Sequence, residues 1–194
     1  MHLFGTTSTE QDFAQTPIQI EACIKQIASG DRAALAELYA GSRSAVYGFA
    51  LSIVKNSKDA EDVLQDTFLK IWSAAEGYQS MGKPMAWILT IVRNLATSKL
   101  RERGKTVEMP EDEQLYDATH DPSFGIEQRV VLEAAMRELG NDERQIVMLH
   151  AISGLKHIEI ARMLSMPLST VLSKYSRALR KLQRALEEGK HEKK

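Results

Sequence analysis

The sequence predicts an all-α protein made of two small helical domains joined by a flexible acidic linker. Apolar residues recur at three-and-four spacing over long stretches, and no stretch alternates in the manner of a strand. Between residues 102 and 121, seven acids stand against two bases, and apolar side chains are few. Pro110 lies within this stretch and Pro122 follows it, which is typical of an extended linker. We therefore expect one domain over residues 17–103, a linker over 104–123 and a second domain over 124–188.

Composition excludes several classes of protein. The 194 residues suffice for one domain or two small ones, and a net charge of −1 indicates no partner by itself. The single cysteine, Cys23, excludes an internal disulfide, and we expect it to be a small buried apolar residue. No apolar run approaches the ~18 residues that span a bilayer. The N-terminus lacks the pattern of a secretory signal. We expect a cytoplasmic protein with no membrane contact of its own.

The first two helices follow from their end signals. Residues 1–16 are polar and are expected to form a loose tail. A helix over 17–29 ends at Gly30, and Asp31 then caps a longer helix that Asn56 breaks.

A third helix has two contrasting faces, and Ser57 is expected to cap it. It runs to about Ala75. One face is apolar and is expected to be buried: Ala60, Val63, Leu64, Thr67, Phe68, Ile71 and Trp72. The opposite face is acidic and carries one leucine: Asp62, Gln65, Asp66 and Leu69. The pattern alone allows two interpretations. One is a face that binds a partner, and the other is a solvated face with one stray leucine. In the second interpretation, Asp59, Glu61 and Asp62 stabilise the N-terminus of the helix through its macrodipole.

The fourth helix follows a loop over residues 76–83, in which Tyr78 is expected to be exposed. Pro84 suits its first turn, and it continues to about Arg103. Its inward side chains are Ile88, Ile91, Val92 and Leu95. A polar stripe runs along the other side: Thr90, Arg93, Asn94, Thr97 and Arg101. Pattern alone favours an ordinary amphipathic helix with a basic end.

Helical signals resume after the linker. The expected helices cover residues 124–139, 142–152 with Asn141 as the cap, 156–164, and a last long helix that opens at Pro167 and ends near Glu188. A tight turn over residues 165–167 separates the last two helices.

The last helix is apolar on one side and polar, then basic, on the other. The apolar side holds Val171, Leu172, Tyr175, Ala178, Leu179, Leu182 and Leu186. The other side holds Ser169, Thr170, Ser173, Lys174, Arg177, Arg180, Lys181 and Arg184. Between residues 156 and 184, seven Lys or Arg stand against one acid, Glu159. A short helix, a tight turn and a basic helix predict a helix-turn-helix that binds DNA. The alternative is a solvated basic face.

Residues 59–72, with the sequence DAEDVLQDTFLKIW, closely resemble the core-binding helix of bacterial extracytoplasmic-function sigma factors. The Asp-Ala-Glu-Asp opening, the Gln-Asp-Thr-Phe centre and the aliphatic residue before Trp72 are all present. The resemblance implies that the outward face contacts core RNA polymerase. The implied contact residues are Asp59, Glu61, Asp62, Gln65, Asp66 and Leu69.

The fourth helix resembles the part of the same family that captures the melted minus-ten promoter strand. Trp87, Arg93, Asn94 and Arg101 match the family's signature. The implied strand-binding residues are Tyr78, Trp87, Arg93, Asn94, Thr97, Ser98 and Arg101, with Lys99 and Arg103 as further phosphate contacts. Ser98 stands where the family frequently has Asp.

Residues 139–182 resemble the family's C-terminal domain, which reads the minus-thirty-five element in duplex DNA. The match includes Ile158-Glu159-Ile160-Ala161, Met166-Pro167 and Ser169-Thr170-Val171. The implied DNA-binding residues are His157, Ser169, Thr170, Ser173, Lys174, Arg177, Arg180 and Lys181. Two positions depart from the family: Leu172 replaces a cation and Lys174 replaces an arginine, which alone forms a bidentate fork to guanine.

No pattern indicates an enzyme. His150 and His157 have no cysteine or acidic partner at ligand spacing, so no metal site is expected. The chain has no phosphate-binding glycine loop and no nucleophile elbow. We expect no catalytic residue and no cofactor.

The resemblance implies a sigma factor that directs core RNA polymerase to specific promoters and assists melting, and members of this family are usually held inactive by an anti-sigma factor. Two rivals remain. A plain helix-turn-helix regulator would bind duplex DNA without polymerase. A sigma mimic that sequesters an anti-sigma protein usually carries a regulatory domain, for which few residues remain.

Overall fold

The computed structural model describes residues 15–103 and 138–191, and its elements are helices. They are α1 (Pro17–Ala28), α2 (Arg32–Val54), α3 (Ser57–Ala74) with a 3-10 turn (Ala75–Gly77), α4 (Pro84–Arg103), α5 (Asn141–Ser153), α6 (His157–Leu164) and α7 (Leu168–His191). The all-α prediction is confirmed for these residues. Residues 1–14 of the tail expected over 1–16, the linker, and residues 124–137 of the helix expected over 124–139 lie outside the described ranges.

Local hydrogen bonds fix the helix starts in the N-terminal half. Thr16 and Gln19 form a reciprocal capping box before α1. The Asp31 carboxylate accepts from the Ala33 N–H at 2.8 Å, as predicted. The prediction that Ser57 caps α3 is wrong, because the Asn56 side chain accepts from the Asp59 N–H at 3.0 Å. Lys55 ends α2 in the left-handed conformation (φ 55°), which brings Asn56 to the capping position.

Helix α2 is the centre of the N-terminal bundle and packs against α1, α3 and α4. Its Leu38, Val46 and Phe49 are fully buried, and they meet Ile71 of α3 and Ile88 of α4 in one apolar core. Cys23 is buried in the same core, as predicted. This packing holds α3 and α4 side by side, each with one face left outward.

Helices α5, α6 and α7 surround further buried side chains, which belong to the same apolar core. Ile146, Leu149, Ile160 and Val171 are fully buried there. The prediction that Asn141 caps α5 is wrong: the helix begins at Asn141, and the Glu143 carboxylate accepts from the Gly140 N–H at 3.0 Å.

A tight turn joins α6 to α7. Ser165 takes the left-handed conformation (φ 55°), and the Met166 N–H donates to Ala161 O at 2.9 Å, which closes the C-terminus of α6. The last helix starts at Leu168 rather than at Pro167, because the Pro167 carbonyl accepts the first helical bond from Val171. The two helices and the turn form a helix-turn-helix.

The N-terminal and C-terminal halves touch in this structure. Helix α5 packs against α2 and α4. The Lys83 Nζ lies 2.6 Å from a carboxylate oxygen of Glu159, which ties the start of α4 to α6. None of the helices described is long and apolar enough to cross a membrane.

Candidate functional site

The outward face of α3 combines acids with exposed apolar surface. We define it as Asp62, Gln65, Asp66, Leu69 and Trp72. Leu69 is 68% exposed and Gln65 and Asp66 are exposed, whereas the predicted inward residues except Leu64 and Trp72 are buried. The prediction that Trp72 is buried is wrong, since it is 36% exposed. Trp72 follows Leu69 by three residues and so extends the same apolar strip. That spacing could have placed Trp72 on the outward face from the sequence.

Two of the candidate polymerase-binding acids are paired with cations of α4. Lys99 Nζ makes a close hydrogen bond to the Asp62 carboxylate and lies 3.9 Å from Asp59. Arg103 Nη1 lies 2.8 Å from the second oxygen of Asp59. Lys99 lowers the pKa of Asp62, and the bond to Asp62 raises the pKa of Lys99. Asp59 therefore faces α4, while Glu61 and Asp66 remain exposed.

The polar stripe of α4 lies beside these ion pairs. Asn94, Ser98 and Arg101 are exposed, and Arg93 and Thr97 are half-buried. These side chains recur at three-and-four spacing, so α4 presents them as one strip. The expectation that Tyr78 is exposed is wrong. It is half-buried, with its ring centroid 4.9 Å from that of Trp87. Burial raises the pKa of Tyr78.

The outward face of α7 carries short polar and basic side chains. Ser169, Ser173, Arg177 and Arg180 are exposed there, and Thr170 is half-buried. The buried side is centred on Val171 and Ala178. Leu172 and Leu179, predicted to share that side, are 44% and 45% exposed. That prediction is wrong because each lies one residue, or about 100°, round the helix from a buried position.

Two candidate DNA-binding lysines are tied to α5. Lys174 Nζ lies 2.8 Å from Asp142, and Lys181 Nζ lies 2.8 Å from Glu143. Arg177 Nε is 3.7 Å from the other Glu143 oxygen. Burial favours a raised pKa for Glu143, but bonds from Lys181 and the Gly140 N–H outweigh it, so its pKa lies below the usual value. Sequence analysis missed both acids, since they stand 32 and 38 residues before their partners.

His157 packs in an aromatic cluster between α5, α6 and α7. Its ring stacks on His150 with centroids 4.7 Å apart and meets the edge of Tyr175 at 4.5 Å. His150 Nδ1 lies 2.8 Å from Leu155 O. Burial and the neighbouring His150 lower the pKa of His157. Among the described residues, no three His, Cys, Asp or Glu side chains are arranged to hold a metal ion.

Comparisons with known proteins match this arrangement over most of the chain. The family model described as Sigma-70 region 2 matches residues 38–106, and that described as Sigma-70, region 4 matches residues 129–182. The ECF RNA polymerase sigma factor SigK of Mycobacterium bovis is 30% identical over 176 residues, which cover 87% of this chain and 94% of SigK. SigK of Mycobacterium ulcerans is 29% identical with the same coverage.

Two solved structures share the fold. The sigma factor RpoE of Bartonella quintana, solved in complex with the anti-sigma factor NepR, is 26% identical with a TM-score of 0.58, covering 78% of this chain and 95% of that one. CnrH, solved with the cytosolic domain of CnrY, is 23% identical with a TM-score of 0.52, covering 88% and 98% of the two chains.

A helical bundle followed by a helix-turn-helix, matched by the Sigma-70 region 2 and region 4 models, is the arrangement of a two-part transcription initiation factor. The chain belongs to the extracytoplasmic-function (ECF) family of RNA polymerase sigma factors. Members of this family are transcription regulators rather than enzymes.

Proposed function

We propose that this protein binds core RNA polymerase through the outward face of α3 and directs it to specific promoters. The observation that carries the proposal is the exposed Leu69–Trp72 strip beside Asp66, on the helix that matches the family's core-binding segment. Exposed apolar surface next to an exposed carboxylate is what a partner helix with apolar and basic side chains would bind. Glu61 and Gln65 lie on the same exposed surface and complete the contact.

In this proposal residues 17–103 also hold the melted minus-ten strand. Asn94, Thr97 and Ser98 supply hydrogen bonds to bases, and Arg93 and Arg101 contact phosphates. The Tyr78–Trp87 pair forms the apolar end of the same surface. The Lys99–Asp62 bond keeps this strip beside the polymerase contact, so strand capture occurs where polymerase opens the duplex.

Residues 124–188 anchor the minus-thirty-five element in this proposal, with residues 104–123 as the connection. Ser169, Thr170 and Ser173 lie at the start of α7, where a helix-turn-helix contacts base edges. Arg177 and Arg180 lie further along and contact phosphates. Three other candidates act in this proposal mainly by positioning α7. Lys174 and Lys181 are paired with Asp142 and Glu143 of α5. His157 packs on Tyr175 of α7.

Regulation by an anti-sigma factor is the second part of the proposal. It is supported by the likeness to RpoE, which was solved with the anti-sigma factor NepR. An inhibitor that covers the outward face of α3 would compete directly with polymerase. We place this activity in the cytoplasm, where polymerase acts.

A gel-shift comparison with and without core polymerase tests the proposed function. Two weak DNA contacts gain affinity when one polymerase holds both. We therefore expect the protein alone to bind promoter duplex weakly, and the protein with core enzyme to give a specific, stable complex. Tight, sequence-specific binding by the protein alone, unchanged by core enzyme, would instead identify a plain helix-turn-helix regulator.

A further inference from the structure

Leu172 protrudes from the face of α7 that carries the candidate base contacts. It is 44% exposed, although the adjacent Val171 is fully buried. Ser169, Ser173 and Ser176 surround it with short side chains, all exposed. Leu172 is the more exposed of the two leucines at this end of α7, since Leu168, four residues earlier, is 38% exposed.

A shallow depression lies beside Leu172. Its lining consists of Leu172, Ser173, Ser176, Arg177 and Arg180. The lining is thus part apolar, part hydroxylic and part cationic. That combination matches the edge of a duplex, where a base meets its phosphates, better than it matches an apolar partner.

Exposure alone does not assign a role to Leu172, because single exposed leucines are common. Its position does. Leu172 is the fifth residue of α7, within the first two turns of the second helix of a helix-turn-helix, where side chains approach base edges in the major groove. The core of the domain does not require it, since Val171 and Ala178 fill the buried side of α7.

The major groove offers one apolar group to such a side chain, the C5-methyl group of thymine. A serine hydroxyl bonds to several bases and discriminates little, whereas a methyl contact separates thymine from cytosine. We propose that Leu172 reads the C5-methyl group of a thymine in the upstream promoter element. This rests on the proposed function, in which α7 enters the major groove.

The test uses the full-length protein assembled with core polymerase. Promoter duplexes are first selected by this holoenzyme from a library whose upstream element is randomised. Each thymine of a selected element is then replaced singly by deoxyuridine, which removes only the methyl group. We expect one or two positions at which uracil weakens holoenzyme binding about fourfold, the effect of about 0.8 kcal/mol for one buried methyl-sized group.

Two variants distinguish a contact with the thymine methyl group from a general loss of DNA binding. Leu172→Ala should bind the thymine duplex about fourfold more weakly and should bind the thymine and uracil duplexes equally. Leu179→Ala is the matched control, because Leu179 is equally exposed, at 45%, and lies seven residues further along the same helix, about 10 Å away. It should keep the full sensitivity to uracil. Circular dichroism confirms that both variants fold.

The outcomes are distinct. If the holoenzyme initiates from selected promoters but no uracil substitution matters, or if Leu172→Ala keeps the wild-type sensitivity, the inference is overturned and the proposed function stands. Equal losses for Leu172→Ala and Leu179→Ala without any methyl dependence also overturn it, and indicate a protein contact along the leucines. If the holoenzyme selects no promoter, the proposed function and this inference both fail.

Discussion

At the scale of single residues, the acids of α3 fall into two groups with different tasks. Asp59 and Asp62 are engaged by Arg103 and Lys99 of α4, whereas Asp66 is exposed beside Leu69. Asp66 attracts Lys99 only at longer range, so within the described residues it can gain a new partner without losing a direct bond. The two groups look alike in sequence, and the structure separates them.

Charge reversal at Asp66 therefore tests the polymerase contact without disturbing the bundle. Asp66→Lys should leave the unfolding free energy within about 0.5 kcal/mol, as is usual for surface changes, and should strongly reduce retention of the protein on immobilised core polymerase. Glu37→Lys, an exposed acid on α2, is the control and should be retained normally. Normal retention of Asp66→Lys would remove Asp66 from the contact.

The outward apolar strip gives an independent prediction at the same surface. Leu69→Ala removes a side chain that is 68% exposed, so it should cost little stability. It should weaken association with core polymerase about tenfold, which corresponds to about 1.4 kcal/mol. The measurement is a titration of labelled protein with core enzyme, and an unchanged dissociation constant would show that Leu69 is merely a stray surface leucine.

Titration of His157 makes a prediction about pH. Its pKa is lowered in the folded protein, so between that pKa and about 6.5 the unfolded chain binds more protons than the folded one. The free energy of unfolding of the C-terminal half should therefore keep its full value above about pH 6.5 and decrease as the pH drops below it. The lowered pKa of the Glu143 carboxyl changes the stability only below about pH 4.5, so it does not contribute to an effect between pH 5.5 and 7.5.

Thermal melts at pH 7.5 and 5.5 measure this effect. The wild-type protein should melt at a lower temperature at pH 5.5, and His157→Phe, which keeps the contact with the Tyr175 ring, should reduce the difference. An equal difference in both proteins would assign the pH effect to other groups.

At the scale of elements, α7 is held on α5 by ion pairs as well as by its apolar side. Glu143 accepts from the Gly140 N–H at the start of α5 and from Lys181 of α7, and it is 7% exposed. One carboxylate thus stabilises the start of one helix and the position of another.

Neutralising Glu143 should consequently loosen the helix-turn-helix. We expect Glu143→Gln to lower the unfolding free energy of the C-terminal half by roughly 1–3 kcal/mol, since a buried charged hydrogen-bond group is lost. Asp142→Asn is the matched control, because its side chain is 42% exposed, and should change stability by less than about 0.5 kcal/mol. Urea unfolding followed by circular dichroism measures both, and equal effects would contradict the role of Glu143.

Helical periodicity predicted the element order and most buried faces, since the spacing of Ala60, Val63, Thr67 and Ile71 leaves one choice of inward side. It failed at the edges of those faces, at Trp72, Leu172 and Leu179, because each lies one residue, or about 100°, round its helix from the buried position before it. It also could not find the bonds from Lys99 to Asp62 and from Lys181 to Glu143, which join residues far apart in sequence.

At the scale of the whole molecule, the two halves are packed together through α5, with Lys83 and Glu159 as an ion pair between them. Promoter elements centred about 25 base pairs apart are about 85 Å apart at 3.4 Å per base pair. A compact chain of this length has a radius of gyration of only about 16 Å. In the proposed promoter complex, the two halves therefore separate.

The central claim is that this protein directs core polymerase to specific promoters. Run-off transcription with purified components tests it most directly. Core enzyme is mixed with promoter templates and with no factor, wild-type protein or Asp66→Lys. We predict specific transcripts only with the wild-type protein, and few or none with the variant. Transcripts that are absent with the wild-type protein, or that are the same with and without it, would contradict the account.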